Sequence, residues 1–287
     1  MSDNRRVYRT IRMAIKQLFP FEPKGNFARN LNTLAAMVAG IVQGKSCQLP
    51  TIARHTPDSA KPDSRIKRYS RWIQNERVDF EGYFLPFAQP ILASLAQIRP
   101  LVFIMDGSEV GHHCITLMIS LIWQKRALPI TWIVVNGCKG HLPEEIHLEL
   151  LNQLKTLLPE HYQAIFLGDG EFDGIELQAA LQGLGWPYVC RTAKNAQLYE
   201  DGEPFSFVDL LLQPGDCLGI PHVQFTRQAY GPVTVIGWWK KGYKEPIYLV
   251  TNFELVEEAC YYYAKRFQIE TFFSDEKSRG FYLHKSH

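Results

Sequence analysis

Two aspartates follow apolar runs, and a glycine follows each of them. Asp106 comes after Leu101–Met105, and Asp169 comes after Ala164–Gly168. Runs of this kind predict buried strands. If the strands lie in one sheet, their carboxylates project into one region and would form a magnesium site, because Mg²⁺ prefers oxygen ligands. The alternative is that each Asp-Gly pair only makes a turn, since both residues are turn formers.

A second set of residues that could do chemistry lies on the predicted helix Leu255–Phe273 and just beyond it. Steps of three, four and seven positions separate Tyr263, Arg266, Glu270 and Lys277. At 3.6 residues per turn they would project from one face, where the basic side chains would hold the glutamate ionised and contact a phosphate. The alternative is a charged outer helix face on which Arg266 and Glu270 form an ordinary i,i+4 pair.

The elements that would position these residues begin after residue 98. In chain order we predict strands at 101–105, 114–123 and 128–136, a helix at 144–158, a strand at 163–168, a helix at 173–184 and a strand at 187–192. This is the element order of an α/β fold with an RNase H-like mixed sheet core. Residues 195–250 are rich in Gly, Pro and aromatic residues and predict a β-rich insertion before the final helix.

The first quarter of the chain is basic. Residues 1–77 carry 15 Lys and Arg against five acidic residues, whereas the remainder carries 16 against 24. This asymmetry favours a segment that binds nucleic acid, although a solvated basic face without a partner is the alternative. We therefore predict an all-α DNA-binding region at 1–97 and a catalytic domain at 98–287.

Helical spacing within that region predicts helices at 28–43, 49–55 and 64–75, the last capped by Ser64. The third helix would bury a stripe formed by Ile66, Tyr69 and Ile73. The basic residues that lie off the stripe are candidates for DNA binding: Arg65, Lys67, Arg68 and Arg71. The pattern is compatible with a helix-turn-helix reader, and equally with a small helical bundle that has a basic surface.

The composition excludes several classes of protein. With 287 residues, 46% of them apolar, the chain can build a core and is not a disordered chain. No apolar run reaches the roughly 18 residues that a membrane helix needs, and the Arg-interrupted N-terminus does not resemble a secretory signal. Six scattered cysteines without a CxxC pair argue against a zinc ribbon or disulfide framework, and we predict that they lie in the core. We expect a soluble, cytoplasmic protein without a membrane partner.

The spacing Tyr263-x₂-Arg266-x₃-Glu270-x₆-Lys277 resembles the Y-(2)-R-(3)-E-(6)-K signature of the insertion-sequence-four family of DDE transposases. Asp106 and Asp169 resemble the first and second catalytic aspartates of that family. The resemblance covers residues 100–287, including a β-rich insertion between the second and third acids. The N-terminal quarter resembles the helical DNA-binding region of the family only loosely, through the stretch RYSRWIQNE.

The resemblance implies a transposase that cuts double-stranded DNA at the inverted-repeat ends of its element and transfers the strand into target DNA. Asp106, Asp169 and Glu270 would hold two Mg²⁺ or Mn²⁺ ions. Tyr263, Arg266 and Lys277 would contact DNA phosphates. Two further candidates, for stacking a flipped base, are Trp238 and Trp239, which could instead pack the insertion onto the core. A homodimeric synaptic complex and a bacterial, nucleoid-associated location are also implied.

Several alternatives stay open at this point. Family members usually continue past the tenth residue after Lys277, so a truncated copy that only binds element ends and inhibits transposition is one alternative. A general RNase H-like nuclease is another. Glu109, His112 and His113 could be drawn as metal ligands, but His suits softer metals. We also expect Asp173 to cap the helix that follows Asp169.

Overall fold

The computed structural model describes residues 3–111, 113–136, 142–279 and 281–282. The chain divides into two compact units. The helical unit comprises the chain up to Ser94, the segment Glu109–Cys114 and the chain from Phe273 onward, and the sheet unit comprises Leu95–Ser108 and Ile115–Phe272. The chain thus crosses between the units four times, where the sequence predicts one boundary at 97/98. No helix among the described residues is long and apolar enough to cross a membrane.

Six helices precede the first strand in the described part of the chain. They are α1 (Asp3–Gln17), α2 (Gly25–Gly44), α3 (Leu49–His55), α4 (Pro62–Ile73), α5 (Phe80–Tyr83) and α6 (Leu85–Ala96). The predicted helices at 28–43 and 49–55 are confirmed by α2 and α3. The predicted Ser64 cap is wrong, because Lys61 is the N-cap of α4 and Pro62, whose fixed φ suits a first turn, opens the helix.

Two apolar clusters form the core of the helical unit. One is centred on Tyr69, which is fully buried, and the other lies around Ile15 and Tyr83. Trp72 packs against both clusters, and its indole N–H donates to the Asn30 carbonyl at 3.0 Å. The predicted stripe is therefore wrong at Ile73, which is 58% exposed, because Trp72 takes the inward position near the end of α4.

The sheet unit is built on ten strands that form one continuous sheet. The strands are β1 (Leu101–Gly111), β2 (Cys114–Trp123), β3 (Arg126–Asn136), β4 (Ala164–Gly168), β5 (Tyr188–Arg191), β6 (Leu198–Glu200), β7 (Glu203–Phe205), β8 (Cys217–Phe225), β9 (Tyr230–Trp238) and β10 (Ile247–Thr251). Their spatial order is β3-β2-β1-β4-β5-β10-β9-β8-β6-β7. β4 pairs in parallel with both β1 and β5.

The predicted β-rich insertion extends this sheet. β10 pairs antiparallel with β5, and β9 and β8 follow, so the strands of the insertion continue the sheet formed by the earlier strands. The face of β8 that carries Cys217 and Gly219 packs on a helix: a Cβ at Gly219 would lie 2.3 Å from Val256, and the Sγ atoms of Cys217 and Cys260 are 3.8 Å apart. Cys217 is nevertheless exposed, and Cys47 and Cys114 are only partly buried, so the predicted place in the core is confirmed for Cys190 and Cys260 but wrong for the other three. Cys138 lies outside the described residues.

The later helices are α7 (Glu144–Leu157), α8 (Ile175–Gly183), α9 (Val256–Tyr263) and α10 (Phe267–Ser274), together with a 3₁₀ helix at Phe207–Leu210 and a π-helix at Asp275–Arg279. One predicted helix is wrong, because 255–273 is not continuous. Between α9 and α10 the amide of Lys265 bonds to the Tyr262 carbonyl and that of Arg266 to the Tyr263 carbonyl, both spanning three residues. These tighter turns end one helix and start another.

Candidate active site

The register of two parallel strands places the two aspartates side by side. In the β1–β4 pair Leu101 stands opposite Ala164 and Ile104 opposite Leu167. The same offset carried two residues further sets Asp106 opposite Asp169. Asp169 directly follows the last residue of β4, whereas β1 continues beyond Asp106. The predicted turn at Asp106-Gly107 is therefore wrong, but the predicted proximity of the two carboxylates is confirmed.

The positive charge near the Asp106 carboxylate only partly offsets the negative charge around it. Burial and then the neighbouring Asp169 carboxylate raise the pKa of Asp106 to about 7, with a smaller contribution from Glu270. Arg266 and the Gly107 amide, which donates to Asp106 Oδ1 at 2.7 Å, oppose this rise without cancelling it. Near neutral pH Asp106 is therefore protonated in part of the molecules. This state is expected where carboxylates lie close together without enough positive charge to offset them.

Arg266 bridges two of the three candidate acids. Its Nη1 lies 3.7 Å from Asp106 Oδ2, and its Nη2 lies 2.5 Å from Glu270 Oε1. The guanidinium is buried, and burial acts to lower its pKa, but Tyr263, Glu270 and Asp106 together raise it. The Nε of Arg266 is buried and has no hydrogen-bond partner among the described residues. Arg266 therefore stays charged and keeps an unused donor at the site.

Tyr263 adds a phenol to this group. Burial raises its pKa, while Arg266 and Arg191 act to lower it and Asp169 acts to raise it. Tyr263 is therefore close to the second aspartate as well as to the arginine. Sequence analysis missed Arg191, the last residue of β5. Its signal was weak, since a single basic residue after a short strand has no distinctive spacing.

The break between α9 and α10 changes how the predicted signature is displayed. Tyr263 ends α9, Arg266 lies in the turn, and Glu270 lies in α10 with its side chain 51% exposed. The three side chains still converge, but through the turn and not along one straight helix face. Lys277 lies in the π-helix of the helical unit, where its charge acts to lower the pKa of the adjacent Glu276.

The donor set suits a hard divalent cation, although no three acidic, His or Cys side chains of the described residues form a ready metal cluster. Asp106 and Asp169 are crowded carboxylates whose charge is incompletely compensated, and Mg²⁺ is commonly held by one or two carboxylates together with substrate phosphates. Glu270 is hydrogen-bonded to Arg266 in this arrangement. The residues therefore fit such an ion through the two aspartates.

The neighbouring polar residues have other partners. Glu171 accepts a hydrogen bond from the Leu142 amide at 2.8 Å. The prediction that Asp173 caps α8 is wrong: Gly174 is the N-cap residue, and Glu144 of α7 accepts the Leu177 amide at 2.7 Å. Glu109 is exposed and His113 has φ 59°, while His112 lies outside the described residues.

The tryptophans of the insertion have defined places. Trp238 ends β9, opposite Cys217 of β8 and Ile247 of β10. Trp239 follows it and donates its indole N–H to the Tyr243 carbonyl at 2.9 Å. Both are partly exposed. The described contacts do not join either residue to the aspartates, so base stacking by these residues stays a prediction.

The predicted basic residues of α4 separate into two kinds. Arg65 donates to the carbonyls of four residues that precede or lie in the α3–α4 loop: Ala53, Thr56, Asp58 and Ala60. Arg68 pairs with Asp58 at 2.7 Å. Lys67 and Arg71 are exposed. Arg65 and Arg68 thus hold the loop in place, whereas Lys67 and Arg71 face solvent.

Comparison with known proteins agrees with the arrangement of the sheet unit. The profile of the family described as Transposase DDE domain matches residues 99–287, and the chain belongs to this family. No curated protein sequence matches the chain.

Among solved structures, the piggyBac transposase synaptic complex with hairpin DNA is similar in fold, with a TM-score of 0.50 and 11% identity, covering 96% of this chain and 68% of that one. Human endonuclease V gives a TM-score of 0.35 at 17% identity, covering 63% and 86%. Endonuclease V of Ciona intestinalis, in complex with an inosine-containing DNA, gives 0.34 at 16% identity, covering 57% and 77%.

Proposed function

We propose that this chain is a transposase that cleaves DNA strands at the ends of an insertion sequence and transfers them into target DNA. The observation that carries the proposal is the alignment of Asp106 with Asp169 by strand register, with Arg266 joining Asp106 to Glu270. An acidic pair with a nearby third acid is the donor set that phosphoryl transfer on DNA requires. Membership of the Transposase DDE domain family supports it.

The finer classification rests on two features. The strand order β3-β2-β1-β4-β5, with helices after β3 and β4, supports an RNase H-like core. The spacing of Tyr263, Arg266, Glu270 and Lys277 resembles the insertion-sequence-four signature, and this resemblance supports membership of that group. Double-stranded DNA is the proposed partner. The solved piggyBac complex holds hairpin DNA, which supports a hairpin step and a paired synaptic complex here.

Each residue of the site has a proposed role. Asp106 and Asp169 would hold the divalent cation, Mg²⁺ or Mn²⁺, and Glu270 would join them once it leaves Arg266. A bound cation supplies Lewis-acid polarisation of a phosphoryl oxygen and a more acidic water. Arg266 would then donate to a DNA phosphate, since its Nε lacks a partner and a guanidinium matches phosphate in two-point geometry.

Tyr263 would orient the same phosphate, because its buried phenol lies beside Arg266 and Asp169 and stays protonated as a donor. Arg191 is a further phosphate contact, placed next to Tyr263 at the end of β5. Lys277, Trp238 and Trp239 keep the roles that the family resemblance implies, as a phosphate contact and as stacking surfaces for a flipped base.

The test is cleavage of a labelled duplex that carries the inverted repeats of the chain's own element, with Mg²⁺ or Mn²⁺ and with EDTA. Glu270→Gln should abolish the cut, while its matched control Glu258→Gln, an exposed acid on α9, should leave it intact. Cuts at the repeat boundary only in the presence of metal support the proposal. Cutting without preference for the ends would instead identify a general nuclease, and end binding without any cut an inhibitor.

A further inference from the structure

The helical unit contains a groove lined by arginines that no part of the proposed chemistry uses. Two adjoining cavities of about 700 Å³ and 490 Å³ share Arg29, Thr33 and Arg68 and together run across α1, α2 and α4. We call them the arginine groove. Its walls carry Arg5, Arg9, Arg12, Arg29, Arg68, Arg71 and Arg77.

The charge of this groove is poorly compensated from within. Among its described lining residues Asp58 is the single acid, and it is paired with Arg68. Burial acts to raise the pKa of Asp58, but the Ala60 amide and the Arg68 and Arg65 guanidinium groups outweigh it and lower the pKa. Asp58 is therefore ionised at neutral pH, and its single negative charge stands against the seven arginines of the groove.

The spacing of these arginines matches a polymer of phosphates. Arg5, Arg9 and Arg12 stand at i, i+4 and i+7 on α1, so they share one face over about 10 Å of helix. One strand of duplex DNA carries a phosphate about every 3.4 Å along the helix axis, so about three phosphates span the same length. Arg29 adds an exposed guanidinium from α2, and Arg71 and Arg77 continue the row.

We propose that the arginine groove binds the sugar–phosphate backbone of duplex DNA without regard to base sequence, through α1 and α2. This rests on the proposed function for the choice of DNA as the polyanion. It differs from a helix-turn-helix mode, in which α4 would enter the major groove. Arg65 and Arg68 of α4 hold the preceding loop, so they are engaged within the protein. Contacts to phosphates position a protein on DNA but do not read sequence.

The experiment measures binding of the full chain to a fluorescent 30-base-pair duplex of mixed sequence, by anisotropy, in EDTA and over a series of salt concentrations. The test variant is Arg5→Ala/Arg9→Ala/Arg12→Ala. The matched control, Arg6→Ala/Lys24→Ala/Arg54→Ala, removes the same charge from exposed residues outside the groove. Thermal unfolding of each variant verifies that it is folded.

The test variant should bind at least about tenfold more weakly, and the slope of log K against log salt should decrease by about 2–3, because about 0.9 counterion is released per phosphate contact. The control should lose less than about twofold, and a duplex of scrambled sequence should bind equally well. Equal losses in the two variants, or a loss only in the control, would overturn the proposal. Tripolyphosphate binding in the absence of duplex binding would overturn it as well.

Failure of this proposal is separable from failure of the proposed function, because binding is measured without metal. A chain that binds duplex through α1 but never cuts it would retain the groove and refute the transposase. If the chain cuts at element ends but the triple variant binds duplex as well as the unsubstituted chain does, the transposase proposal stands and the arginine groove is refuted. Arg29→Ala, added to a chain with intact α1, provides a second variant from another helix should the triple variant not fold.

Discussion

In the sheet unit one arginine bridges two of three candidate carboxylates, whereas in the helical unit seven arginines line a groove with a single aspartate. The first arrangement raises the pKa of Asp106 to about 7, because its negative charge is only partly offset. The second has surplus positive charge after Asp58 has paired with Arg68. We infer from this comparison that the two units suit partners of opposite sign, a cation for the sheet unit and a polyanion for the helical unit.

The test with the largest expected effect removes a carboxylate from the sheet unit. Asp106→Asn or Asp169→Asn should lower the rate of DNA cleavage by roughly 10³-fold or more. When catalytic residues act as a unit, removing one of them costs most of the activity. Thermal stability without metal should not fall, since each substitution removes repulsion between Asp106 and Asp169. Single-turnover cleavage and calorimetry measure the two effects. Parallel losses of activity and of melting temperature would point to a structural role for these acids.

A second test asks whether Arg65 of α4 stabilises the fold. Arg65→Ala should lower the free energy of unfolding by about 3 kcal/mol, because a charged donor and several loop carbonyls lose their hydrogen bonds. Lys67→Ala, two residues away and exposed, should change it by less than about 0.5 kcal/mol. Urea titration followed by circular dichroism gives both values. Equal stability of the two variants would show that the hydrogen bonds of Arg65 do not stabilise the fold.

A third test concerns the backbone at Gly168, which positions Asp169. A Cβ at Gly168 would lie 2.6 Å from the Cβ of Phe172, so Gly168→Ala should destabilise the chain by about 2 kcal/mol and displace the start of the Asp169 loop. Gly170→Ala is the matched control, because nothing lies within 4 Å of its Cβ. Denaturant midpoints and cleavage rates measure the difference. If Gly170→Ala costs as much, close packing at Gly168 is not the cause.

The last test concerns the dependence of stability on pH. The pKa of Asp106 is raised from 3.8 to about 7 and that of Glu276 in the helical unit from 4.5 to about 7, in both cases chiefly by burial. A folded carboxyl with a raised pKa keeps a proton that the unfolded chain releases. The contribution of these two groups to stability should therefore be greatest below about pH 4 and fall as pH rises toward 7.

The two groups can be told apart with variants and metal. Asp106→Asn should flatten the Asp106 part of the pH profile, and Glu276→Gln the other part. Mg²⁺ should stabilise the unsubstituted chain at pH 7.5 more than Asp106→Asn, because the cation binds the deprotonated carboxylates. Melting temperatures from pH 4 to 8, with and without Mg²⁺, measure this. A pH profile that neither substitution changes would contradict the raised pKa values.

Much of the local structure could be predicted from the sequence. The pattern of apolar residues defined β2 at Cys114–Trp123 and the span of α7 to within one residue, because strand and helix periodicity is written in neighbouring residues. The two Asp-Gly positions could likewise be found from the apolar runs before them. The break between α9 and α10 could not, since the helical spacing of Leu255–Phe273 continues through it.

The sequence by itself thus determined many of the strands and helices, where the acids lie along the chain, and that the first quarter is basic. Only the tertiary structure decided that Asp106 stands opposite Asp169, that Arg266 bridges to Glu270, and that Arg65 is taken up by its own loop. Strand register and ion pairing join residues far apart in the chain, and their partners are selected by packing. Local patterns therefore cannot specify them.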